Sequence, residues 1–188
     1  MYSISGNEIF ARARTLATQT GIDSNQSNVI DSLPNLRTTL NHAIREVYRR
    51  KSNDQKFSQD ITTRHTVAIG TGEGTCEPEI MREFLHQANI TDENDSLVTY
   101  FNYQIDTNQT FDTLGYLWLE GDTFHYRAPS PDLDDFDGDL YVTVQSFPEF
   151  PASMASDIEF PSQATAEDVI LFLAQAILGK EGYQVVTV

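Results

Sequence analysis

Apolar residues at helical spacing mark the first part of the chain. A Ser5/Glu8 pair matches a capping box, and the apolar stripe that follows it predicts a helix over about 6–19. A second stripe predicts a helix over about 34–52, with Pro34 in its first turn and basic residues at its C-terminal end. The stripes are Ile9, Ala13, Leu16 and Ala17 in the first helix, and Leu36, Leu40, Ala43, Ile44 and Val47 in the second.

From residue 57 onward the apolar residues alternate with polar ones instead. Four stretches rich in β-branched and aromatic residues, 59–70, 96–105, 114–128 and 139–147, predict β-strands. The sequence EGD at 120–122 predicts a hairpin turn within the third stretch. Residues 77–88 favour a short helix. The glycine-rich stretch 70–75 favours a flexible loop over a phosphate-binding loop, because it contains no lysine and Glu73 would repel a phosphate.

The last part of the chain combines a proline-rich connection with a strongly apolar helix. Three prolines between 148 and 161 indicate an extended crossover. Thr165 is the predicted N-cap of a helix over about 164–178. Between Val169 and Leu178 only Gln175 is polar, whereas a surface helix normally has one polar face.

This apolar helix predicts assembly of several copies. Each N-terminal helix offers one apolar stripe, so a single chain is expected to leave part of the C-terminal helix uncovered until neighbouring copies cover it. Burying one large apolar side chain contributes about 1.5–3 kcal/mol before entropy costs. The predicted subunit-interface residues are Ile170, Phe172, Leu173, Ile177 and Leu178.

The order of the elements predicts an α+β fold. The two N-terminal helices and the C-terminal helix are expected to pack as a bundle, so residues 1–56 and 150–182 form one helical domain. A mainly antiparallel β insert occupies 57–149. Residues 183–188 are expected to form an extended C-terminal tail. Its apolar residues suit strand addition or insertion into a groove on another chain, and a frayed terminus is the alternative.

The net charge of −16 is distributed unevenly. Residues 1–56 contain eight of the twelve Lys and Arg and five acids, whereas residues 57–188 contain four bases and twenty-three acids. An acidic surface repels nucleic acid and anionic lipid, which argues against sequence-specific DNA binding by the larger part. The longest apolar run, 169–178, is about half the length that a bilayer span needs, so no membrane association is expected.

A basic cluster closes the second predicted helix. It consists of Arg45, Arg49, Arg50 and Lys51. One interpretation is a solvated helix end that compensates the helix dipole. The other is a contact patch for an acidic partner, including the acidic part of an identical neighbour.

Residues that could carry catalysis or hold a metal form no recognisable pattern. The single cysteine, Cys76, has no activating motif around it, and the four histidines lie on different predicted elements. The acidic stretch 131–140 does not match the register of an EF-hand loop; it is interpreted as a solvated turn, with an adventitious divalent ion as the alternative. We therefore predict no catalytic, cofactor-binding or metal-binding residues and no enzymatic activity.

Two segments and a short extension together resemble a known family. They are SLPNLRTTLNHAIREVYRR at the second helix, DIEFPSQATAEDVILFLAQAIL at the last helix, and the residues that follow it. In this order they resemble the head-to-tail adaptor (connector) proteins of tailed bacteriophages. The resemblance covers roughly 1–56 and 150–188, and the β insert departs from the mostly helical adaptors.

The resemblance implies a structural virion protein of the head-tail junction, assembled in the host cytoplasm. Such proteins form a ring, typically twelvefold, that joins the portal protein to the tail and prolongs the channel through which double-stranded DNA passes without sequence-specific binding. The resemblance places portal contacts in the tail and suggests that the β insert meets a tail nozzle, fibre or spike protein. The portal-contact residues are Tyr183, Val185, Val186 and Val188.

Two alternatives remain open. The first is a monomeric binding module, or another virion component, that recognises carbohydrate or protein through aromatic residues of the β insert, although these residues could equally form its core. They are Tyr100, Tyr103, Tyr116, Trp118 and Tyr126. The second is an acid-base hydrolase, for which no pair of carboxylates stands out among twenty-eight acids.

Overall fold

The structure, a computed structural model, describes residues 1–19, 36–70, 72–101, 115–127 and 138–180. Its helices and mainly antiparallel sheets confirm the predicted α+β class. The chain divides into two compact units: the helical unit, Met1–Asp60 with Phe147–Val188, and the β unit, Ile61–Ser146. The sequence placed the corresponding boundaries at 56/57 and 149/150.

The elements follow one another in this order: β1 (Tyr2–Ser5), α1 (Gly6–Gln19), α2 (Leu36–Lys51), α3 (Gln55–Asp60), β2 (Thr62–Ile69), β3 (Glu73–Thr75), a 3-10 helix (Arg82–Gln87), β4 (Asn89–Thr91), β5 (Leu97–Phe101), β6 (Gly115–Glu120), β7 (Thr123–Arg127), β8 (Gly138–Gln145), β9 (Asp157–Phe160) and α4 (Gln163–Lys180).

A two-stranded sheet joins the start of the helical unit to its later part. β1 and β9 pair antiparallel, with Ile4 opposite Ile158, and both of these side chains are buried. Neither strand is predicted from the sequence, in which residues 157–160 fall within the predicted proline-rich crossover. Asp157–Phe160 alternates polar and apolar residues, but the segment is only four residues long and lies among prolines, so its pairing with β1 becomes evident only in the folded chain.

The predicted N-terminal cap of α1 is confirmed. The backbone N–H of Glu8 donates to Ser5 Oγ at 3.2 Å. The Glu8 carboxylate does not complete a capping box, because it accepts from Arg12 at 2.5 Å, one helical turn further along. The helix covers Gly6–Gln19, the range that its apolar stripe predicts.

The predicted N-cap of α4 is wrong. The helix begins at Gln163, and the backbone N–H of Thr165 donates to Ser162 Oγ at 3.2 Å, so Ser162 is the cap. Thr165 is buried, with its hydroxyl 3.1 Å from Ser162 Oγ. Both residues have cap-forming hydroxyls, and the inward position of Thr165 removes it from the helix end.

The core of the helical unit surrounds α4. This helix packs against α1, against α2 and against the sheet formed by β1 and β9. Tyr48 of α2 contacts Phe57 of α3 edge-on, with ring centroids 5.2 Å apart. Burial of the Tyr48 side chain raises its pKa. The buried apolar residues of the three long helices include Ile9, Phe10, Ala13, Ala17, Leu40, Ala43, Ile44, Val47, Ala166, Val169, Ile170, Leu173, Ala174 and Ile177.

The β unit contains a seven-stranded sheet in the order β2-β8-β4-β5-β6-β7-β3. Among the strands that the structure describes, only the β5–β6 pair is parallel. The two end strands also contact each other, so the sheet curls back on itself. At that contact a Cβ on Gly74 of β3 would lie 2.5 Å from Val67 Cγ1 on β2, which explains why a glycine occupies this position. The predicted flexible loop at 70–75 therefore contains a strand.

Several predicted elements of the β unit need adjustment, and one is confirmed. The strand predicted from residue 59 begins at Thr62, because residues up to Asp60 belong to α3. The helix predicted at 77–88 is a shorter 3-10 helix. The predicted hairpin turn is confirmed: Gly121 and Asp122 connect β6 to β7, and Gly121 has φ of 62°, as in a type II′ turn.

A half-buried histidine lies on the same side of β2 as the core residues Val67 and Ile69. His65 Nε2 is 2.6 Å from Ser146 Oγ, and burial lowers the pKa of His65, with Glu77 and Glu79 acting in the opposite direction. The unfolded chain therefore binds a proton at His65 more readily than the folded chain does. The contribution of neutral His65 to the free energy of unfolding is fully present above the ordinary histidine pKa of about 6.5. This contribution is lost as the pH falls below that value.

We predict that the free energy of unfolding of His65→Gln depends less on pH than that of the wild type in the mildly acidic range. The free energy of unfolding of the wild type should fall between about pH 7 and pH 5 more steeply than that of the variant, because histidine titrates in this range. Urea unfolding followed by the fluorescence of Trp118, the single tryptophan, measures this in the β unit. His86→Gln, an exposed histidine, serves as the control. Parallel pH profiles for the wild type and His65→Gln would contradict the prediction.

Candidate functional site

The candidate site is the exposed edge of α4. Ala164, Glu167 and Leu171 are exposed and Gln175 is half-buried, at a spacing of three or four residues. The helix therefore has an outer stripe, and Leu171, with 47% of its surface exposed, is the large apolar residue on it.

The predicted interface residues are largely buried inside the chain itself. Ile170, Leu173 and Ile177 lie in the core of the helical unit. The expectation that a single chain leaves these residues uncovered is wrong, because α1, α2 and the two-stranded sheet all pack against α4. Phe172 is half-buried, and the side chain of Leu178 lies outside the described residues.

An open groove runs between α1 and the outer stripe of α4. Its volume is about 690 Å³. Ile170 forms its apolar floor, and Leu16 and Leu171 stand at its sides with 39% and 47% of their surfaces exposed. An exposed apolar groove with a polar rim is typical of a site of interaction. The residues that line it are Ala11, Arg12, Thr15, Leu16, Glu167, Asp168, Ile170 and Leu171.

A second depression lies between α2 and α4, with a volume of about 300 Å³. It shares Asp168 and Leu171 with the groove, so the outer stripe of α4 forms a ridge between two hollows. Its lining residues are Val47, Arg50, Lys51, Asp168, Leu171, Phe172 and Gln175. We call the groove, the ridge and this depression the helical face.

The first half of the predicted basic patch makes contacts within its own chain. The guanidinium of Arg45 lies 5.0 Å from the ring centroid of Phe147 and 4.6 Å from that of Phe150. Arg49 Nη1 is 3.5 Å from a carboxylate oxygen of Glu46. The two cation-π contacts of Arg45 hold α2 against the segment that follows the β unit.

The second half of the basic patch contacts α4. The guanidinium of Arg50 lies 5.1 Å from the Phe172 ring centroid, and the ring of His42 approaches Phe172 edge-on at 6.3 Å. Lys51 Nζ is 2.5 Å from Asp168 Oδ2. Arg50 and Lys51 thus hold α2 against α4 within one chain. Neither interpretation of the basic cluster from the sequence includes this contact.

The residues that could carry catalysis or bind a metal do not form one site. Burial raises the pKa of the Cys76 thiol, which lowers its thiolate fraction and its reactivity. Within the described ranges, no group of three or more His, Cys, Asp or Glu side chains is placed to hold a metal ion. No helix in the described part of the chain is long and apolar enough to span a bilayer. The acidic stretch 131–137 and the predicted portal contacts Tyr183, Val185, Val186 and Val188 lie outside the described residues.

The aromatic residues of the β unit fall on both sides of the sheet. Tyr126 packs against the core, whereas Tyr116 lies on the other side of the sheet, beside Trp118, and is buried there. Trp118 stacks on His125 on the outward side. Tyr100 belongs to β5, and Tyr103 lies outside the described residues.

No protein-family model matches the chain, and no curated protein has a matching sequence.

Neighbouring leucines of α4 provide a direct test of this geometry. We predict that Leu173→Ala lowers the free energy of unfolding by about 2–5 kcal/mol, because it leaves a cavity in the core. Leu171→Ala should cost less than about 1 kcal/mol, because its side chain is already half exposed. Urea denaturation of both variants measures the difference. Equal losses of stability would contradict the assignment of Leu171 to the surface.

Proposed function

We propose that this protein is a non-enzymatic structural subunit that assembles with copies of itself and acts as a head-to-tail adaptor of a tailed bacteriophage. The observation that carries the proposal is the helical face, where Leu16 and Leu171 line an open apolar groove. Apolar surface of this kind gains free energy when a neighbouring copy covers it. The ring of copies prolongs the channel between portal and tail.

The uneven charge of the chain supports a copy of the same chain as the occupant of the groove. Residues 1–56 have a net positive charge and residues 57–188 a net negative charge, whereas Arg12 and Asp168 at the groove already pair with Glu8 and Lys51 in their own chain. In a ring each copy presents one face to the next copy and a different face to the previous one, so surfaces of opposite charge can meet. Residues 57–188 contain many more acids than bases. Their negative charge repels passing DNA and keeps it from adhering to the channel wall.

The resemblance to phage adaptors supplies the remaining parts of the proposal. Residues 183–188 attach the ring to the portal protein, and the β unit faces a tail nozzle, fibre or spike protein. Assembly takes place in the host cytoplasm, and the assembled ring resides in the virion at the head-tail junction.

We predict that the wild type forms rings and that Leu171→Asp does not. A carboxylate at this position would be desolvated in the subunit contact, whereas the exposed site tolerates it in the single chain. Sedimentation velocity over a range of concentrations, with negative-stain images, measures the assembly. Leu97→Asp is the matched control, because Leu97 is similarly exposed, at 43%, but lies in the β unit.

Leu171 is a sharper target than Phe172, because Phe172 also packs beneath Arg50 within its own chain. A wild type that remains a single copy at high concentration would overturn the proposed assembly. Rings formed equally well by Leu171→Asp would remove the helical face from the contact.

A further inference from the structure

The outward side of the β6–β7 hairpin carries a stacked aromatic pair. Trp118 and His125 are opposite each other in the register, with ring centroids 5.2 Å apart and an interplanar angle of 18°. Their neighbours in sequence, Leu117 and Phe124, point the other way and are fully buried in the core. Trp118 also lies 5.4 Å from Tyr116. Trp118 is half-buried and the side chain of His125 is 20% exposed, so the pair is partly accessible from outside.

Two exposed carboxylates flank the imidazole of this pair. Glu73 Oε1 on β3 lies 3.4 Å from His125 Nδ1, and Glu120 Oε2 lies 3.6 Å from His125 Nε2. The side chains of Glu73 and Glu120 are 60% and 74% exposed. A neutral imidazole has one N–H and can donate to only one of them. When His125 is neutral, at least one carboxylate is therefore available to a cation from outside.

The β unit as a whole carries a large excess of negative charge. Residues 61–146 contain three arginines, no lysine and sixteen acids. Two of the arginines already pair within the unit, Arg64 with Asp95 and Arg82 with Asp122. The resulting field attracts cationic groups and repels phosphates, so it excludes nucleic acid as the ligand of this surface.

We propose that the surface formed by Glu73, Trp118, Glu120 and His125, the hairpin face, binds an arginine-bearing segment of a partner protein. A guanidinium matches the surface in two ways, because it is planar and stacks on aromatic rings and because its N–H groups pair with carboxylates. A neutral sugar can also stack on an indole but gains nothing from the negative field. The proposal goes beyond assembly through the helical face and does not depend on it, because the hairpin face is formed by residues of the β unit alone.

Trp118 reports directly on this surface, since it is the single tryptophan of the chain. The experiment titrates the full chain with a tryptophan-free Gly-Arg-Gly-Arg-Gly peptide, with the same peptide carrying citrulline in place of arginine, and with a neutral oligosaccharide. We expect a saturable change in Trp118 emission with the arginine peptide only, and this change should weaken as salt is added. Glu73→Gln combined with Glu120→Gln should lower the affinity by about tenfold or more.

The matched control is Glu93→Gln combined with Glu159→Gln, which changes the net charge equally at exposed residues that do not belong to the hairpin face. This control should bind the arginine peptide like the wild type. Circular dichroism and urea unfolding check that each variant is folded. No emission change with the arginine peptide, an equal response to citrulline, a response to the oligosaccharide alone, or an equal loss in the control variant would overturn the proposal.

Discussion

Burial of α4 is the constraint on which the helical unit depends. This helix has apolar residues on nearly all sides, so it must be covered in several directions at once. Helices α1 and α2 cover two of these directions, and the sheet made by β1 and β9 covers a third. That sheet pairs the beginning of the chain with a segment close to its end. Covering one helix therefore organises the whole unit.

The same burial determines which surface is left for interaction. Once Ile170, Leu173 and Ile177 are enclosed, the uncovered part of α4 is a narrow edge with Leu171 on it. Because α1 and α2 stand on either side, this edge is a ridge between two hollows. Lys51 and Arg50 secure α2 beside it, through Asp168 and Phe172. The proposed contact between copies is consequently smaller than the apolar helix suggests by itself.

Local features of the fold could be predicted from the sequence, and pairings between distant segments could not. The stripe of α1, its Ser5 cap and the Gly121 turn depend on neighbouring residues, and the structure contains all three. β1, β9 and β3 are short, so their pairing partners, rather than their own patterns, make them strands. The β1–β9 sheet adds to the cover that α1 and α2 give α4, and this part of the cover does not follow from the sequence pattern. The hairpin face was missed likewise, because it requires the register that places His125 opposite Trp118.

Hydrogen exchange of the α4 backbone in single copies tests most directly whether one chain covers this helix. The protein is diluted until sedimentation shows one chain per particle, and exchange is then followed residue by residue. We predict that the amides of Val169, Ile170 and Leu173 are among the slowest in the protein under these conditions, because these residues lie in the core of the single chain. Fast exchange of these amides in single copies, with protection appearing only on assembly, would contradict this.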